Sequence, residues 1–493
     1  MKKYKQLYIC ISLFIAICVM FNNTAVYAEA KDEVNYDEVS EQIENDVERF
    51  HIPGMAVIVV NKDEILFRET YSNCESTDAS FIIGSMSKSF TALSIMQLVE
   101  AGRINLDAPI SEYIDASRWF VDASDCDKIT VRNLLNHTSG ITTYQTFGDL
   151  KITDSFGKYV YANANYGLLG LIIESVSGVS YEKYVNDNIF EPLGMNHSAA
   201  SLEQSKKNGM IDGYRNYFGI PVVGEPDYPG DISEGSWTNV PAGYLSASVD
   251  DMGRYMQMYL NGGKGIISEE SINTMFYDNV PSDDGAYNYG MGWQYTTELF
   301  SQPVLWHSGL VENYTSNMFI LPNEGIAVVV LVNMNDYLIG NNLLSNIVAP
   351  LIGEEHQNTP NWYIIQHIIF DVVYLLLFFV SISSAFDLKK WYKKKKTVKT
   401  YLFDSVRHIV LPGVLLCIPL ISKTPIRVLW LFVKDLCLVV YVNAAILILV
   451  GAIKLIILIT KKKSNEEDLI KVKRSNGVWF SWYRESTGKQ AKT

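Results

Sequence analysis

Cysteine and histidine are scarce in this chain, which has 6 Cys and 7 His in 493 residues. Four of the cysteines lie in apolar stretches at the two ends of the chain: Cys10, Cys18, Cys417 and Cys437. For the remaining pair, Cys74 and Cys126, one disulfide and two separate thiols are both open, since sequence does not give their distance. No Cys/His ligand set is clustered in the sequence, so we expect no metal site and no cofactor.

Charged residues are also few, at 19% of the chain, whereas apolar residues reach 48%. The net charge of −13 is unevenly distributed, because residues 29–361 are strongly acidic and both ends of the chain are basic. This pattern predicts an acidic, water-facing domain joined to basic segments that flank a membrane. It argues against nucleic acid as a partner, since phosphate binding requires a basic patch on the folded domain.

The N-terminus has the pattern of a secretory signal peptide. Lys2, Lys3 and Lys5 precede an apolar stretch from Leu7 to Phe21, and small residues around Ala28 follow it. This order of segments predicts a cleaved signal peptide over residues 1–28, with an uncleaved N-terminal anchor as the alternative. We expect the folded domain at 29–354 and a polar linker at 355–362.

Apolar runs at 363–386, 408–421 and 436–460 predict three transmembrane helices within residues 363–461, and a cytoplasmic tail over 462–493. Lysine clusters follow the first and the third run, and such clusters stay on the cytoplasmic side. The domain that precedes them is therefore expected outside the cell membrane. The second run is short and contains Pro412 and Gly413, so a re-entrant segment is the alternative there.

Polar residues interrupt two of these runs. Asp371 is roughly midway along the first, with His367 one turn earlier, and Asn443 is within the third. Ionisable groups at this depth usually face protein or a cavity. A contact between helices, such as Asp371 with Asn443, is favoured over a substrate path.

Hydrophobic periodicity within the domain predicts an α+β fold. An antiparallel sheet, closed by both ends of the domain and flanked by helices, is expected to carry a mostly helical subdomain. Helices are predicted at 36–50, 85–101 and 166–176, and strands at 55–60, 65–71, 291–296, 304–307, 315–321 and 326–332.

Three short motifs carry residues suited to nucleophilic catalysis. Ser85 and Lys88 begin a helix three positions apart, so that the lysine amine can reach the serine hydroxyl. If burial lowers its pKa, this amine can serve as the base that the hydroxyl needs. Tyr161 and Asn163 are placed to relay a proton and to hold a substrate amide. The third motif ends a strand, where a substrate can lie alongside: His307, Ser308 and Gly309.

The three motifs, in this order, resemble those of class C β-lactamase and penicillin-binding-protein-like serine hydrolases (serine peptidase S12-type), which read Ser-x-x-Lys, Tyr-x-Asn and Lys-Thr-Gly or His-x-Gly. The resemblance covers about residues 36–350. It implies that Ser85 is the nucleophile of an acyl-enzyme, with Lys88 and Tyr161 as general base and acid. It also implies an oxyanion hole at the N–H groups of Ser85 and Leu310, and substrate binding by Asn163, His307, Ser308, Gly309 and Leu310.

One position departs from the β-lactamase pattern. His307 replaces a lysine that meets the β-lactam carboxylate, and a mostly neutral histidine makes a weaker anion site. His137 has a family-like context, and we interpret it as structural. The main hypothesis is a membrane-anchored hydrolase of D-amino-acyl bonds: a cell-wall or teichoic-acid D-alanyl esterase, a D-Ala carboxypeptidase or a prodrug D-peptidase. The alternatives are a β-lactamase and a non-catalytic penicillin-binding sensor.

Overall fold

The computed structural model describes residues 34–297, 302–335, 347–351 and 362–487. The predicted signal peptide (1–28) lies outside these residues, as does the predicted linker apart from its last position. An antiparallel sheet packed between helices forms the hydrolase-like domain, which confirms the predicted α+β class.

Strands are numbered along the described chain. They are β1 (Gly54–Asn61), β2 (Ile65–Ser72), β3 (Ser80–Ile82), β4 (Tyr214–Tyr217), β5 (Ile220–Val223), β6 (Ser246–Ser248), β7 (Val280–Pro281), β8 (Asn288–Gly290), β9 (Trp293–Thr296), β10 (Val304–Val311), β11 (Tyr314–Leu321), β12 (Ile326–Val332) and β13 (Met334–Asn335). The main sheet has the order β2-β1-β12-β11-β10-β9-β8-β7, and its described pairings are antiparallel. β3 pairs with β6, and β13, β4 and β5 form a small third sheet.

Helices of the domain precede those of the C-terminal segment. The domain contains α1 (Tyr36–Arg49), α2 (Ser87–Glu100), α3 (Val131–Leu135), α4 (Asn163–Ser177), α5 (Tyr181–Val185), α6 (Glu191–Leu193), α7 (Leu202–Lys207), α8 (Val240–Gly243), α9 (Val249–Leu260) and α10 (Glu269–Tyr277). The C-terminal segment contains α11 (Trp362–Phe386), α12 (Leu388–Lys393), α13 (Val398–Ser405), α14 (Leu411–Leu416), α15 (Ile418–Ile421), α16 (Ile426–Phe432) and α17 (Lys434–Thr487).

The central strand β12 explains how the sheet is held. All seven of its residues are buried, because helices cover both faces of the sheet and leave no face for polar side chains. Val328 and Val330 pack on the α1 side, and Val329 and Leu331 pack on the other side among the helices that carry the candidate site. β1 and β12 pair along their full length, as the predicted closure by both ends of the domain requires.

Several predicted elements differ in their bounds from those observed, and two of these differences lie beside Ser85. The predicted helix at 85–101 begins with a 3₁₀ turn over Gly84–Met86 before α2. The predicted strand 304–307 continues to Val311, because Gly309 stays in the sheet as a point of close approach rather than ending the strand. Cys74 and Cys126 are both buried free thiols, so the domain has separate thiols rather than a disulfide between them.

Two helices of the C-terminal segment are long and apolar enough to cross a membrane: His367–Phe386 within α11 and Lys434–Lys461 within α17. The middle predicted span is not one long regular helix. A π-helical turn, Val406–Val410, separates α13 from α14, and α14 and α15 each contain a proline. Proline lacks the N–H that continues a helix, which explains the interruption. The structure thus supports two of the three predicted spans.

The close packing of Gly292 against α2 provides a test of the fold. Gly292 has a φ of +81°, and a Cβ built on it would lie 2.8 Å from Ser89 Cα in α2. Gly285 has a φ of +73° with nothing within 4 Å. We expect Gly292→Ala to lower the free energy of unfolding by several kcal/mol, since positive-φ strain of about 1–2 kcal/mol adds to overpacking of about 1–3 kcal/mol.

Gly285→Ala is the matched control, and it should show the positive-φ strain alone. Urea unfolding of the domain measures both variants. Equal losses in the two would show that α2 does not pack against Gly292 as described.

Candidate active site

Ser85 lies in the 3₁₀ turn that precedes α2. Hydrogen bonds of two buried serine hydroxyls fix the position of this turn. Ser87 Oγ donates to Gly84 O at 2.7 Å and accepts a hydrogen bond from Leu245 N at 3.0 Å. Ser316 Oγ donates to Ile83 O at 2.7 Å. The serine hydroxyl is therefore presented by a turn with little freedom to move.

Lys88 lies one helical turn after Ser85 and is 0% exposed. Its Nζ lies 3.1 Å from Ser85 Oγ, 2.8 Å from Asn163 Oδ1 and 2.6 Å from Ala242 O. Burial lowers the pKa of Lys88 well below its usual range. A neutral amine keeps two N–H bonds for the two carbonyl oxygens, and its lone pair then faces the Ser85 hydroxyl.

Tyr161 lies against the same amine, with the centre of its ring 4.7 Å from Lys88 Nζ. Burial raises the pKa of the Tyr161 phenol, and its hydrogen bond with Ser85 offsets only part of that increase. The phenol therefore stays protonated at neutral pH. In this arrangement Lys88 can serve as a base beside Ser85, and Tyr161 can serve as a proton donor.

His137 supports the loop that carries Tyr161 and Asn163. Its Nδ1 accepts a hydrogen bond from Ala162 N at 3.3 Å, and its ring centre lies 4.5 Å from that of Tyr161. Burial lowers the pKa of His137 well below its usual range, with a smaller contribution from Lys88. A neutral, fully buried ring that positions a loop agrees with the structural interpretation of this residue.

Strand β10 passes directly alongside the Ser85 turn. A Cβ built on Gly309 would lie 2.1 Å from Ile83 O, and one built on Gly84 would lie 2.4 Å from Leu310 N. Glycine at both positions lets the two backbones touch, which brings the amide of Leu310 beside the nucleophile turn. The predicted oxyanion donors, the N–H groups of Ser85 and Leu310, are thus neighbours.

His307 is buried, at 2% exposure. Its Nε2 lies 3.2 Å from the Tyr289 hydroxyl, and its Nδ1 lies 2.7 Å from Ser308 O. Burial, together with the nearby Lys88, lowers the pKa of His307 to about 3. The side chain is neutral at physiological pH, so it supplies no positive charge for a substrate carboxylate. Ser308 faces solvent at the next position.

The structure brings Ser85, Lys88, Tyr161 and Asn163 together and places β10 beside them. Sequence reasoning missed the carbonyl of Ala242, which holds the Lys88 amine from α8. A main-chain carbonyl leaves no signature in a sequence, so no residue pattern identifies this contact. Among the described residues, no group of three or more His, Cys, Asp or Glu side chains could hold a metal ion.

A family model described as Beta-lactamase matches residues 39–338, more than half of the chain. The chain belongs to the beta-lactamase family. "Protein flp" of Staphylococcus aureus is 27% identical over 346 residues, which are 64% of this chain and 64% of that protein. The matched part thus spans under two thirds of the length of this relative.

Solved structures agree with this family assignment. The octameric penicillin-binding protein homologue from Pyrococcus abyssi is 27% identical with a TM-score of 0.57, over 66% of this chain and 79% of that chain. A class C beta lactamase, 21% identical, has a TM-score of 0.53 over 62% of this chain and 94% of that chain, and shows the shared fold. Proteins of this beta-lactamase fold are serine hydrolases.

The buried amine predicts how stability depends on pH. Unfolded Lys88 keeps its proton up to a pH of about 10.4, whereas the folded protein releases it at lower pH. Between these two pKa values the unfolded state binds more protons, so stability rises with pH. We expect the stability of wild type relative to that of Lys88→Met to rise by about 1.4 kcal/mol for each unit of pH above the folded-state pKa, until the amine also loses its proton in the unfolded state at a pH of about 10.4.

Chemical unfolding at a series of pH values measures this difference. The exposed substitution Lys62→Met corrects for the general loss of one positive charge. A difference between wild type and Lys88→Met that stays constant across the series, beyond that correction, would mean that Lys88 remains charged in the folded protein.

Proposed function

We propose that this chain is a membrane-anchored serine hydrolase that forms an acyl-enzyme at Ser85 and cleaves D-amino-acyl bonds, preferring esters. The observation that carries the proposal is the buried Lys88 amine 3.1 Å from Ser85 Oγ, with two carbonyl oxygens to take its remaining hydrogens. A hydroxyl becomes an effective nucleophile when an adjacent base takes its proton.

In the first half of the reaction, Lys88 takes the Ser85 proton as Oγ bonds to the substrate carbonyl carbon. The carbonyl oxygen becomes negative and receives hydrogen bonds from the N–H groups of Ser85 and Leu310. Each donor of this kind is typically worth about 3–4 kcal/mol in the transition state. Asn163 shares its carbonyl oxygen with Lys88, and its Nδ2 is left to bind a substrate carbonyl.

Tyr161 protonates the leaving oxygen or nitrogen as its bond to the carbonyl carbon breaks. The proton that Lys88 took from Ser85 then returns to the phenol, so both side chains recover their starting state. In the second half, water attacks the acyl-enzyme and the same groups act in reverse, which releases the acid and restores Ser85.

The neutral state of His307 indicates which class of substrate the site favours. β-Lactams and peptides that end in D-Ala-D-Ala carry a carboxylate on the leaving side of the cleaved bond, and a cation there would favour them. Burial holds His307 neutral. Among the described residues, Lys88 is the only lysine or arginine seen in contact with Ser85, Tyr161 or Asn163, and burial lowers the pKa of its amine as well. A D-amino-acyl ester of an uncharged alcohol fits this site better than a β-lactam does.

The C-terminal segment supports a surface location. Lysines follow α11 at its C-terminal end, and α17 reaches a second lysine cluster at 461–463. Such clusters stay on the cytoplasmic side. This orientation requires the segment between α11 and α17 to cross back through the membrane, and it supports the proposal that the domain lies on the outer face of the cell membrane, as the predicted signal peptide would require. A catalytically idle penicillin sensor is less well supported, because Lys88 and Tyr161 both contact the Ser85 hydroxyl, as the proposed chemistry requires.

Ser85→Ala tests the nucleophile. Wild type incubated with a D-alanyl ester should show a covalent D-alanyl adduct on the peptide that contains Ser85, and the variant should show neither adduct nor turnover. Intact-protein and peptide mass spectrometry measure the adduct, with circular dichroism as the control for folding. A D-alanyl adduct that persists in the variant would place the nucleophile elsewhere.

His307→Lys tests substrate selection. A charged lysine on β10 should raise the acylation rate by a fluorescent penicillin about tenfold relative to a neutral D-alanyl ester, a change of about 1.4 kcal/mol. His307→Gln, which changes the side chain without adding charge, is the matched control. An equal change with both acyl donors in His307→Lys would show that this position does not select for the carboxylate.

A further inference from the structure

Polar contacts join the C-terminal helices at the end that lies away from the catalytic domain. The expected contact between Asp371 and Asn443 is replaced by a hydrogen bond from Asn443 Nδ2 to Val439 O of its own helix, at 2.7 Å. Much farther along α17, Lys454 Nζ lies 2.6 Å from Asp404 Oδ1 of α13. The charged groups of the segment are therefore gathered where α17 leaves its apolar stretch.

Two neighbouring aromatic residues of α12, Trp391 and Tyr392, hold ammonium groups against their rings. Lys396 Nζ lies 3.8 Å and Lys454 Nζ lies 5.2 Å from the centre of the Trp391 ring. Lys461 Nζ lies 3.8 Å from the centre of the Tyr392 ring. Such contacts are each worth about 0.5–2 kcal/mol. The two rings thus bring together lysines from α17 and from the connection between α12 and α13.

The Trp391 ring and the Lys396 ammonium are both fixed in position. Trp391 is 8% exposed, and its Nε1 donates to Asp404 Oδ2 at 2.6 Å. Lys396 Nζ donates to Trp391 O and, at 2.9 Å, to Lys394 O. Cations that are already held in place lose less conformational entropy when they bind a ligand than free surface lysines do.

Positive charge is in excess around these rings. The carboxylate of Asp404 is paired with Lys454. Within the described part of the chain, Lys394, Lys396 and Lys461 form no ion pair with a carboxylate. Burial lowers the pKa of Lys396, Asp404 opposes this effect, and the three neighbouring lysines lower the pKa further. An anion placed between these ammonium groups would relieve their mutual repulsion.

The lysines lie at the depth of lipid head groups. Lys461 ends the candidate span in α17, and Trp391 follows shortly after Phe386, the end of the candidate span in α11. From Lys434 to Lys461 a helix rises roughly 40 Å, which exceeds the hydrocarbon core of about 30 Å. Lys394 and Lys461 are exposed and Lys396 is half-buried, so a phosphate at the bilayer surface can reach all three.

We propose that Lys394, Lys396 and Lys461 bind the phosphate of an anionic phospholipid of the cytoplasmic leaflet, beside the rings of Trp391 and Tyr392. The proposal rests on the proposed function only for which leaflet is cytoplasmic. Excess positive charge at head-group depth, between the ends of two spans, fits this occupant, and basic pockets of this kind bind anionic head groups in other membrane proteins. The bound phosphate joins the connection between α12 and α13 to α17.

Native mass spectrometry of the full chain tests the site. In a detergent that contains equal amounts of phosphatidylglycerol and phosphatidylcholine, wild type should retain one phosphatidylglycerol at least about fivefold more often than one phosphatidylcholine, a difference of about 1 kcal/mol. A triple variant, Lys394→Gln with Lys396→Gln and Lys461→Gln, should lose this preference. Equal retention of the two lipids by wild type would overturn the proposal.

A second triple variant is the matched control. Lys389→Gln with Lys390→Gln and Lys393→Gln removes the same charge from exposed lysines of the neighbouring helix, and it should keep the preference for phosphatidylglycerol. Equal losses in the two triple variants would show a general attraction to basic residues in place of a site. Unchanged elution in size-exclusion chromatography controls for the folding of both variants.

Glycerol 3-phosphate distinguishes a lipid from a soluble phosphate ester. It offers a phosphate without acyl chains, so an equal molar amount should leave the bound phosphatidylglycerol in place. Displacement of most of the lipid would show that the site takes free phosphate esters, and it would overturn the assignment to a phospholipid.

Acylation of Ser85 by a soluble D-alanyl ester is measured in the same samples. It should be unchanged in both triple variants, so a failure of the phosphate site is distinguishable from a failure of the proposed hydrolase activity.

Discussion

The buried amine of Lys88 is the constraint on which the rest of the site depends. A charged ammonium in a fully buried position is costly, and within the described part of the chain no carboxylate forms an ion pair with Lys88. The protein instead offers two carbonyl oxygens, from Asn163 and Ala242, which match the two N–H bonds of a neutral amine. The third direction of the nitrogen faces the Ser85 hydroxyl, which is the arrangement that the proposed role of Lys88 as a base requires.

Three helices and one strand must meet for this arrangement to exist. α2 contains Lys88 and directly follows the turn that contains Ser85. α4 begins with Asn163, and α8 supplies the Ala242 carbonyl. β10 closes the site from the sheet, and it can do so because glycines at 84 and 309 let the backbones touch. The fully buried strands β11 and β12 fix the position of β10 behind Ser85. A family of serine hydrolases uses the same fold, and the chemistry here follows from these local contacts.

Much of this framework could be predicted from the residues. The alternation and length of apolar runs located β1, β2, β11 and β12 to within a residue or two, and the motifs around Ser85, Tyr161 and His307 converge in space. The rest depends on tertiary contacts that leave no local pattern. The Ala242 carbonyl is main chain, the neutrality of His307 follows from its burial beside Lys88, and the lysines around Trp391 and Tyr392 come from parts of the chain that are far apart in the sequence. The middle predicted span is broken by prolines whose effect depends on neighbouring helices.

Direct titration of Lys88 tests the central claim. Lysine labelled with ¹³C at Cε and ¹⁵N at Nζ reports the protonation of each amine by NMR, and Lys88→Met identifies the Lys88 signals by their absence. We expect the Lys88 signals to change at a pH well below the value of about 10.4 that is usual for lysine. Signals that instead change near 10.4, with a charged Lys88 at the pH of activity, would show that this amine is not the base that activates Ser85.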